Sequence, residues 1–142
     1  MKISIGADHG GFELKDKVVE HLKKQNIEVI DRGTFGSESV DFPDFSKLVT
    51  KDVQEQTSDL GILICGTGIG MSIAANKQKG IRAALVGDVF SAKATREHNN
   101  SNVLCLGARV TGDSLALMIV DTWLNAEFEG GRHINRIEKI EG

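Results

Sequence analysis

The chain has 142 residues, 40% hydrophobic and 26% charged, with one proline and a formal net charge of −3 at pH 7. This is the length and composition of one folded domain, and the single proline leaves little room for a linker. The net negative charge argues against a nucleic-acid partner. No apolar run reaches the roughly 20 residues that cross a bilayer, and the N-terminus does not resemble a signal peptide. We therefore expect a cytoplasmic protein.

Five short runs rich in apolar and β-branched residues predict five strands. They are residues 2–7, 27–31, 60–65, 81–86 and 102–107. Apolar residues three or four positions apart predict helices between them, as over 12–22, 45–53 and 115–124. Alternating strands and helices form parallel sheets covered on both faces. We therefore expect a single doubly wound, Rossmann-like α/β domain over 1–142, with three layers and a helical tail over 126–142.

Ligands of such sheets bind beyond the carboxyl ends of the strands. The residues that follow the first, third and fifth predicted strands are unusual there. They are Asp8-His9-Gly10-Gly11, the stretch Cys65-Gly66-Thr67-Gly68-Ile69-Gly70, and Gly107-Ala108-Arg109. We expect these three loops to converge on one cleft.

The glycine-rich loop over 65–70 can serve either of two purposes. Its glycines allow successive N–H groups to point into one concavity at a helix N-terminus, where an anionic oxygen binds. The alternative is a strand-to-helix turn that needs glycine only for close packing. The loop is neither a Walker loop, since no Lys-Ser or Lys-Thr pair follows, nor G-x-G-x-x-G, since Met71 stands where the last glycine belongs. A nucleotide site is therefore disfavoured.

Cys65 ends a predicted strand beside the amides of this loop. A thiolate is stabilised in that position and can act as a base or a nucleophile, while Thr67 can hydrogen-bond a substrate oxygen. The alternative for a lone cysteine is a small buried apolar residue, which is what we expect of Cys105. Two cysteines forty positions apart predict free thiols rather than a disulfide framework.

The remaining polar candidates have structural alternatives. His9 suits a substrate hydroxyl or phosphate, whereas Asp8 alone favours a cap for the first helix. The segment 98–100, His-Asn-Asn, is typical of a helix C-terminus with an asparagine in the left-handed conformation. Arg132 and Arg136 share one face if the tail is helical, and form either a phosphate fork or a solvated surface.

Together these segments resemble a type B ribose-5-phosphate isomerase, of the family that includes the galactose-6-phosphate isomerase subunits. The resemblance covers nearly the whole chain in order. It rests on GADHGG, VIDRGT, VDFPDF, CGTGIGMSIAANK, GIRAAL, REHNNSNVL, GARV and FEGGRHINR. It implies the fold already predicted, and a homodimer or homotetramer whose active sites use residues of two subunits, with the tail reaching the partner.

The resemblance also implies the activity, an aldose–ketose isomerase of the pentose phosphate pathway. It would interconvert D-ribose 5-phosphate and D-ribulose 5-phosphate through a cis-enediolate, with no cofactor and no metal ligands. Cys65 would move the proton between C2 and C1, Thr67 and the loop amides would stabilise the oxyanion, and His98 would assist ring opening. The implied substrate-binding residues are Asp8 and Asn99 for sugar hydroxyls, Gly66, Gly68, Ile69 and Gly70 in the loop, and His9, Arg109, Arg132 and Arg136 for the phosphate.

One departure leaves the sugar open. Many family members have Tyr in the segment that matches residues 40–43, whereas this chain has Phe42 and no tyrosine. An isomerase of a six-carbon sugar phosphate, such as allose 6-phosphate or galactose 6-phosphate, is therefore one alternative. A non-catalytic sugar-phosphate or nucleotide-binding module is another, and it would be indifferent to the loss of the Cys65 thiol.

Overall fold

Five parallel strands form where the apolar runs predict them. The computed structural model, which describes residues 1–142, has β1 (Lys2–Ala7), β2 (Glu28–Asp31), β3 (Leu60–Cys65), β4 (Ala83–Leu85) and β5 (Val103–Gly107). The central strands are buried on both faces, so their sequences read as continuous apolar runs rather than alternating patterns. The sheet order is β2-β1-β3-β5-β4, which confirms the predicted fold class.

Helices cover both faces of this sheet. They are α1 (Phe12–Lys24), α2 (Phe42–Gln54), α3 (Ile69–Asn76), α4 (Val89–Asn99), α5 (Asp113–Asn125) and α6 (Arg132–Glu141). Right-handed crossovers place α1 and α4 on one face, with α5 between them, and α2 and α3 on the other. Each face has its own core: one of 17 buried residues around Trp123, and one of 8 around Val49 and Met71.

A buried polar network fixes α2 to the sheet. The Asp52 carboxylate accepts hydrogen bonds from the Ser4 hydroxyl at 2.7 Å and from two nitrogens of Arg32 at 2.8 Å. Burial of Asp52 disfavours its ionised form, but the hydrogen bonds from Arg32 and Ser4 outweigh burial and hold its pKa below the usual value. The network therefore contributes most to stability when Asp52 is ionised.

The C-terminal end of α4 is fixed by α5. The Trp123 indole donates to the Ser101 hydroxyl at 2.9 Å, and the Arg96 guanidinium lies 5.7 Å from the Trp123 ring centroid and donates to the Ser101 carbonyl. The chain then enters β5. The predicted asparagine cap is present, since Asn100 follows α4 with φ 47° and ψ 46°.

The tail over 126–142 runs irregularly to Gly131 and then forms α6, which packs against α4. Its only buried helical residue is His133, whereas Arg132 and Arg136 are exposed on one side. The predicted helical tail is therefore confirmed. None of the six helices has the length and hydropathy that crossing a membrane requires.

Candidate active site

The loops after β1, β3 and β5 meet at the carboxyl edge of the sheet, as predicted. The Asp8 amide donates to the Ile64 carbonyl at 3.2 Å, and the Arg109 amide donates to the Gly66 carbonyl at 2.9 Å. The contact is close at Gly107, where a Cβ atom would lie 2.5 Å from the Thr67 carbonyl oxygen. The three loops form one rigid surface because their backbones bond to one another.

Cys65 lies at the base of the glycine loop. The residue is 6% exposed, and its sulfur accepts a hydrogen bond from the Gly68 amide at 3.2 Å. Gly68 has φ 79°, in the left-handed region, and caps the N-terminus of α3. A Cβ atom there would lie 2.6 Å from Leu85 Cδ1, so only glycine fits. The loop thus directs an N–H group and the positive end of a helix towards the sulfur.

The two cysteines have different surroundings although both are buried. Cys105 lies in the middle of β5 with no exposed surface, and burial, with a smaller contribution from the nearby Cys65, raises the pKa of its thiol far above the ordinary value. It stays protonated and is a packing residue, as expected. Only Cys65 combines access to the carboxyl edge with an amide donor.

Thr67 and Phe42 border the same loop. The Thr67 hydroxyl oxygen accepts a hydrogen bond from the Ile69 amide at 3.3 Å, which leaves its hydroxyl hydrogen free to donate to a ligand. The Phe42 ring packs on Gly70, where a Cβ atom would lie 2.8 Å from it. The residue that departs from the family pattern is therefore next to the loop.

The loop after β1 supplies Asp8 and His9. The sequence favours Asp8 as the cap of α1, but the structure differs. The Asp8 Oδ1 accepts a hydrogen bond from the Gly10 amide at 2.9 Å, and Gly11, the N-cap of α1, has no side-chain partner. A two-residue turn therefore competes successfully with the cap. His9 Nδ1 accepts from the Val40 amide at 3.2 Å, which leaves the proton on Nε2.

His9 and Arg109 line one cavity. The Arg109 guanidinium lies between Gly10 and Gly66, and a Cβ atom at either glycine would be 3.4 to 3.5 Å from its nitrogens. The cavity has a volume of about 410 Å³ and is open to solvent. Its other lining residues include Glu13, Ser37 and the ion pair of Lys17 with Asp113, none of which the sequence singled out. The Arg109 guanidinium and the Nε2–H donor of His9 in this cavity suit an anionic ligand.

The remaining predicted site residues lie at the opposite edge of the sheet. His98 and Asn99 end α4, next to the start of β5, and α6 places Arg132 and Arg136 beside them. The length of β5 separates the two edges by roughly 16 Å. Within one chain, the structure therefore does not bring these four residues to Cys65.

Two residues that the sequence did not single out accompany His98. The His133 ring stacks on the His98 ring with centroids 4.7 Å apart and planes 22° apart. Glu129 Oε1 lies 3.4 Å from Nε2 of each histidine. The spacing of four between Glu129 and His133 is compatible with one helical face, but nothing in the sequence relates that face to His98.

Comparisons with known proteins agree over almost the full chain. The family model described as Ribose/Galactose Isomerase matches residues 3–140. The chain is similar to ribose-5-phosphate isomerase B from Escherichia coli, 52% identical over 139 residues that cover 98% of this chain and 93% of that protein. Among solved structures, ribose-5-phosphate isomerase B from Clostridium thermocellum has a TM-score of 0.99 and 57% identity, covering 99% of this chain and 95% of that one. Ribose-5-phosphate isomerase B from Mycoplasma genitalium with bound ribulose-5-phosphate has a TM-score of 0.95 and 48% identity, covering 99% and 93%.

Proposed function

This chain belongs to the ribose/galactose isomerase family, and from that premise we propose that it interconverts D-ribose 5-phosphate and D-ribulose 5-phosphate. The similar proteins from Escherichia coli and Clostridium thermocellum carry the name of this activity, and the one from Mycoplasma genitalium was solved with ribulose-5-phosphate. The enzyme is an intramolecular oxidoreductase that acts in the cytoplasm, in the pentose phosphate pathway. The observation that carries the proposal is the Cys65 sulfur facing an amide of the glycine loop.

Cys65 is the base. Its thiolate takes the proton from C2 of the open-chain aldose, and the C2–H electron pair forms the C1–C2 double bond while negative charge moves to O1. The same sulfur returns the proton to C1, and the O2 hydroxyl proton passes to O1, which leaves a ketone at C2. No external oxidant or reductant is needed, because oxidation at C2 balances reduction at C1.

The glycine loop stabilises the cis-enediolate. The Thr67 hydroxyl and the amides over 66–70 supply fixed donors at the end of β3, next to the N-terminus of α3. Preorganised donors of this kind contribute about 3 kcal/mol each to the stability of an oxyanion transition state. Their positions are set by the backbone, so they need no rearrangement when charge develops.

The phosphate binds beside this loop. His9 donates from Nε2 and Arg109 offers a guanidinium in the same cavity, while Asp8 accepts a hydrogen bond from a sugar hydroxyl. The remaining phosphate and sugar contacts come from Arg132, Arg136 and Asn99, with His98 as the acid–base group that opens the furanose ring.

We also propose that these last residues reach the site from a second copy of the chain. They lie at the opposite edge of the sheet from Cys65, so one protomer has both halves of the site but cannot join them. A two-fold symmetric dimer brings each half to its complement and forms two equivalent sites. The domain therefore spans 1–142 with 126–142 reaching the partner, in a homodimer or in a homotetramer made of such dimers.

The experiment that tests the activity compares wild-type protein, freed of metal by a chelator, with Cys65→Ala in D₂O. We expect turnover of ribose 5-phosphate with solvent deuterium in the product, and a loss of at least about 10³-fold in Cys65→Ala. Cys105→Ala removes the other thiol and retains most of the activity. Equal activity in Cys65→Ala would place the base elsewhere. Binding of ribose 5-phosphate without turnover in any protein would indicate a binding module.

A further inference from the structure

His98, Glu129 and His133 form a cluster of metal-ligating side chains at the sheet edge opposite the Cys65 of the same chain. Their ligand atoms all lie within 4.8 Å of one another. Both contacts between histidine Nε2 and Glu129 Oε1 measure 3.4 Å, longer than the 2.7 to 2.9 Å of a charge-assisted hydrogen bond. We propose that these three residues bind one divalent cation of the zinc class, and that the bound ion inhibits the enzyme.

The separations suit a tetrahedral ion. Zinc binds histidine nitrogen and carboxylate oxygen at about 2.0 to 2.2 Å, which places neighbouring ligands roughly 3.3 to 3.5 Å apart. Two of the three separations in the cluster, each 3.4 Å, already have this length. The third separation, between the two histidine nitrogens, is at most 4.8 Å, and the stacked rings point their lone pairs side by side, so the half-exposed His98 ring must rotate off the stack to complete the ligand set. The fourth position is left for water.

Two of the three ligands are held in place before any ion binds. The Glu129 amide donates to the Glu97 carbonyl at 3.0 Å, which attaches the start of the tail to α4. His133 is 6% exposed and packs between the His98 ring and Phe128. Gly130 and Gly131, with φ 70° and 57°, make the turn that lets Glu129 and His133 face the same point. His98 and Glu129 are half exposed, which leaves a path for the ion.

The donor set selects the kind of ion. Two imidazole nitrogens and one carboxylate favour Zn²⁺, Co²⁺ or Ni²⁺ over Mg²⁺ and Ca²⁺, which require oxygen ligands. A bound ion takes the Nε2 lone pair of His98, so His98 can no longer exchange a proton with the sugar ring. This inhibition rests on the proposed function, whereas metal binding itself does not.

Binding is measured first with Co²⁺, whose visible absorption reports tetrahedral coordination. We expect metal-stripped protein to bind one Co²⁺ per chain, displaced by Zn²⁺, with no thiolate charge-transfer band. Glu129→Gln, at an exposed position, should weaken binding at least about tenfold. The matched control is His21→Asn, which removes an imidazole from the pair with Asp121 and should change nothing. Unchanged affinity in Glu129→Gln, or binding lost in Cys65→Ala, would overturn the site.

Inhibition is measured next in the isomerase assay. Zn²⁺ should inhibit wild-type protein, EDTA should reverse the inhibition, and Glu129→Gln should resist Zn²⁺ while its metal-free activity stays within about twofold of wild type. If Co²⁺ binds as expected but Zn²⁺ does not inhibit, the inhibitory part of the proposal and the role of His98 in catalysis are wrong, and the metal site stands. If the enzyme is active but binds no Co²⁺ at this cluster, the metal site is wrong and the proposed function stands.

Discussion

The two edges of the sheet carry different halves of the proposed site and build them differently. At the carboxyl edge, β3 and its loop hold Cys65 with backbone amides, and packing around Gly68 and Gly107 leaves no room for a side chain. At the amino edge, His98 and the two arginines are side chains on the surfaces of α4 and α6. The first half is fixed by the core of one chain. The second is presented outward, as the proposed assembly with a second chain requires.

The largest expected effect comes from separating the two halves genetically. Cys65→Ala and His98→Asn should each be nearly inactive alone. When the two variants are unfolded together and reassembled, half of the dimers carry one of each, and each of these dimers has one intact site. The mixture should therefore recover about one quarter of wild-type activity.

Mixing the folded variants without exchange of subunits is the control, and it should recover nothing until the subunits exchange. Two results would contradict a shared site. One is no recovery after reassembly although size-exclusion chromatography shows dimers; the other is high activity in His98→Asn alone, which would mean that the carboxyl edge is sufficient.

Gly68→Ala should have the next largest effect, because it changes the carboxyl edge alone. The variant forces a Cβ atom to within 2.6 Å of Leu85 and 2.9 Å of the Leu106 backbone, at a left-handed φ. We expect a loss of about 2 to 4 kcal/mol in the free energy of unfolding and at least about 100-fold in kcat. Urea unfolding and the isomerase assay measure the two losses.

Gly80→Ala is a matched control for this variant. Gly80 has almost the same φ, 76°, but an added Cβ atom meets nothing within 4 Å. It should cost only the backbone strain, about 1 kcal/mol, and leave kcat unchanged. If Gly68→Ala behaves like Gly80→Ala, the amide turn at Cys65 has no catalytic role.

The two edges also differ in how much of them could be predicted from the sequence. The five strands, and the convergence of the loops after β1, β3 and β5, follow from local apolar runs and from the rule that ligands bind beyond strand ends. The role of Asp8 could not be read in this way, because its turn with the Gly10 amide and a helix cap use the same local sequence.

The amino edge was less predictable. His98 and Asn99 were recognised by resemblance, and the end of a crossover helix lies at the edge opposite the carboxyl ends of the strands. Their lateral distance from Cys65 along the sheet depends on the order of the strands, which apolar periodicity does not contain. The contacts of Glu129 and His133 with His98 depend on where α6 packs against α4. The tail has few buried residues to specify that packing, so it is visible only in three dimensions.

A change remote from both edges sharpens the comparison by separating stability from activity. Asp52→Asn removes a buried charge that Arg32 and Ser4 satisfy, and should cost about 1 to 3 kcal/mol at pH 7 with kcat unchanged. Because the pKa of Asp52 is lowered in the folded protein, the stabilisation is present above the unfolded value of about 3.9 and is lost as pH falls through the folded value.

The difference in unfolding free energy between wild type and Asp52→Asn should therefore shrink as the pH is lowered below about 4. Urea titrations at a fixed protein concentration across this range give the measurement. A difference that stays constant with pH would show that the carboxylate charge has no part in the network, and a loss of kcat would show that α2 transmits its position to the site.

The smallest effect is expected from Phe42→Tyr, which tests how finely the carboxyl edge sets the sugar preference. The Cζ end of the Phe42 ring lies against Gly70, in the loop proposed to stabilise the enediolate, so an added hydroxyl would be placed at that loop. One new neutral hydrogen bond to a sugar hydroxyl is worth about 0.5 to 1.5 kcal/mol, or roughly two- to tenfold in kcat/KM.

The measurement is kcat/KM for ribose 5-phosphate and for allose 6-phosphate in both proteins. A gain for one sugar alone would show that this ring position discriminates chain length. Values unchanged from wild type for both sugars would mean that the hydroxyl does not reach the substrate, and that the sugar preference is set by other contacts of the proposed site.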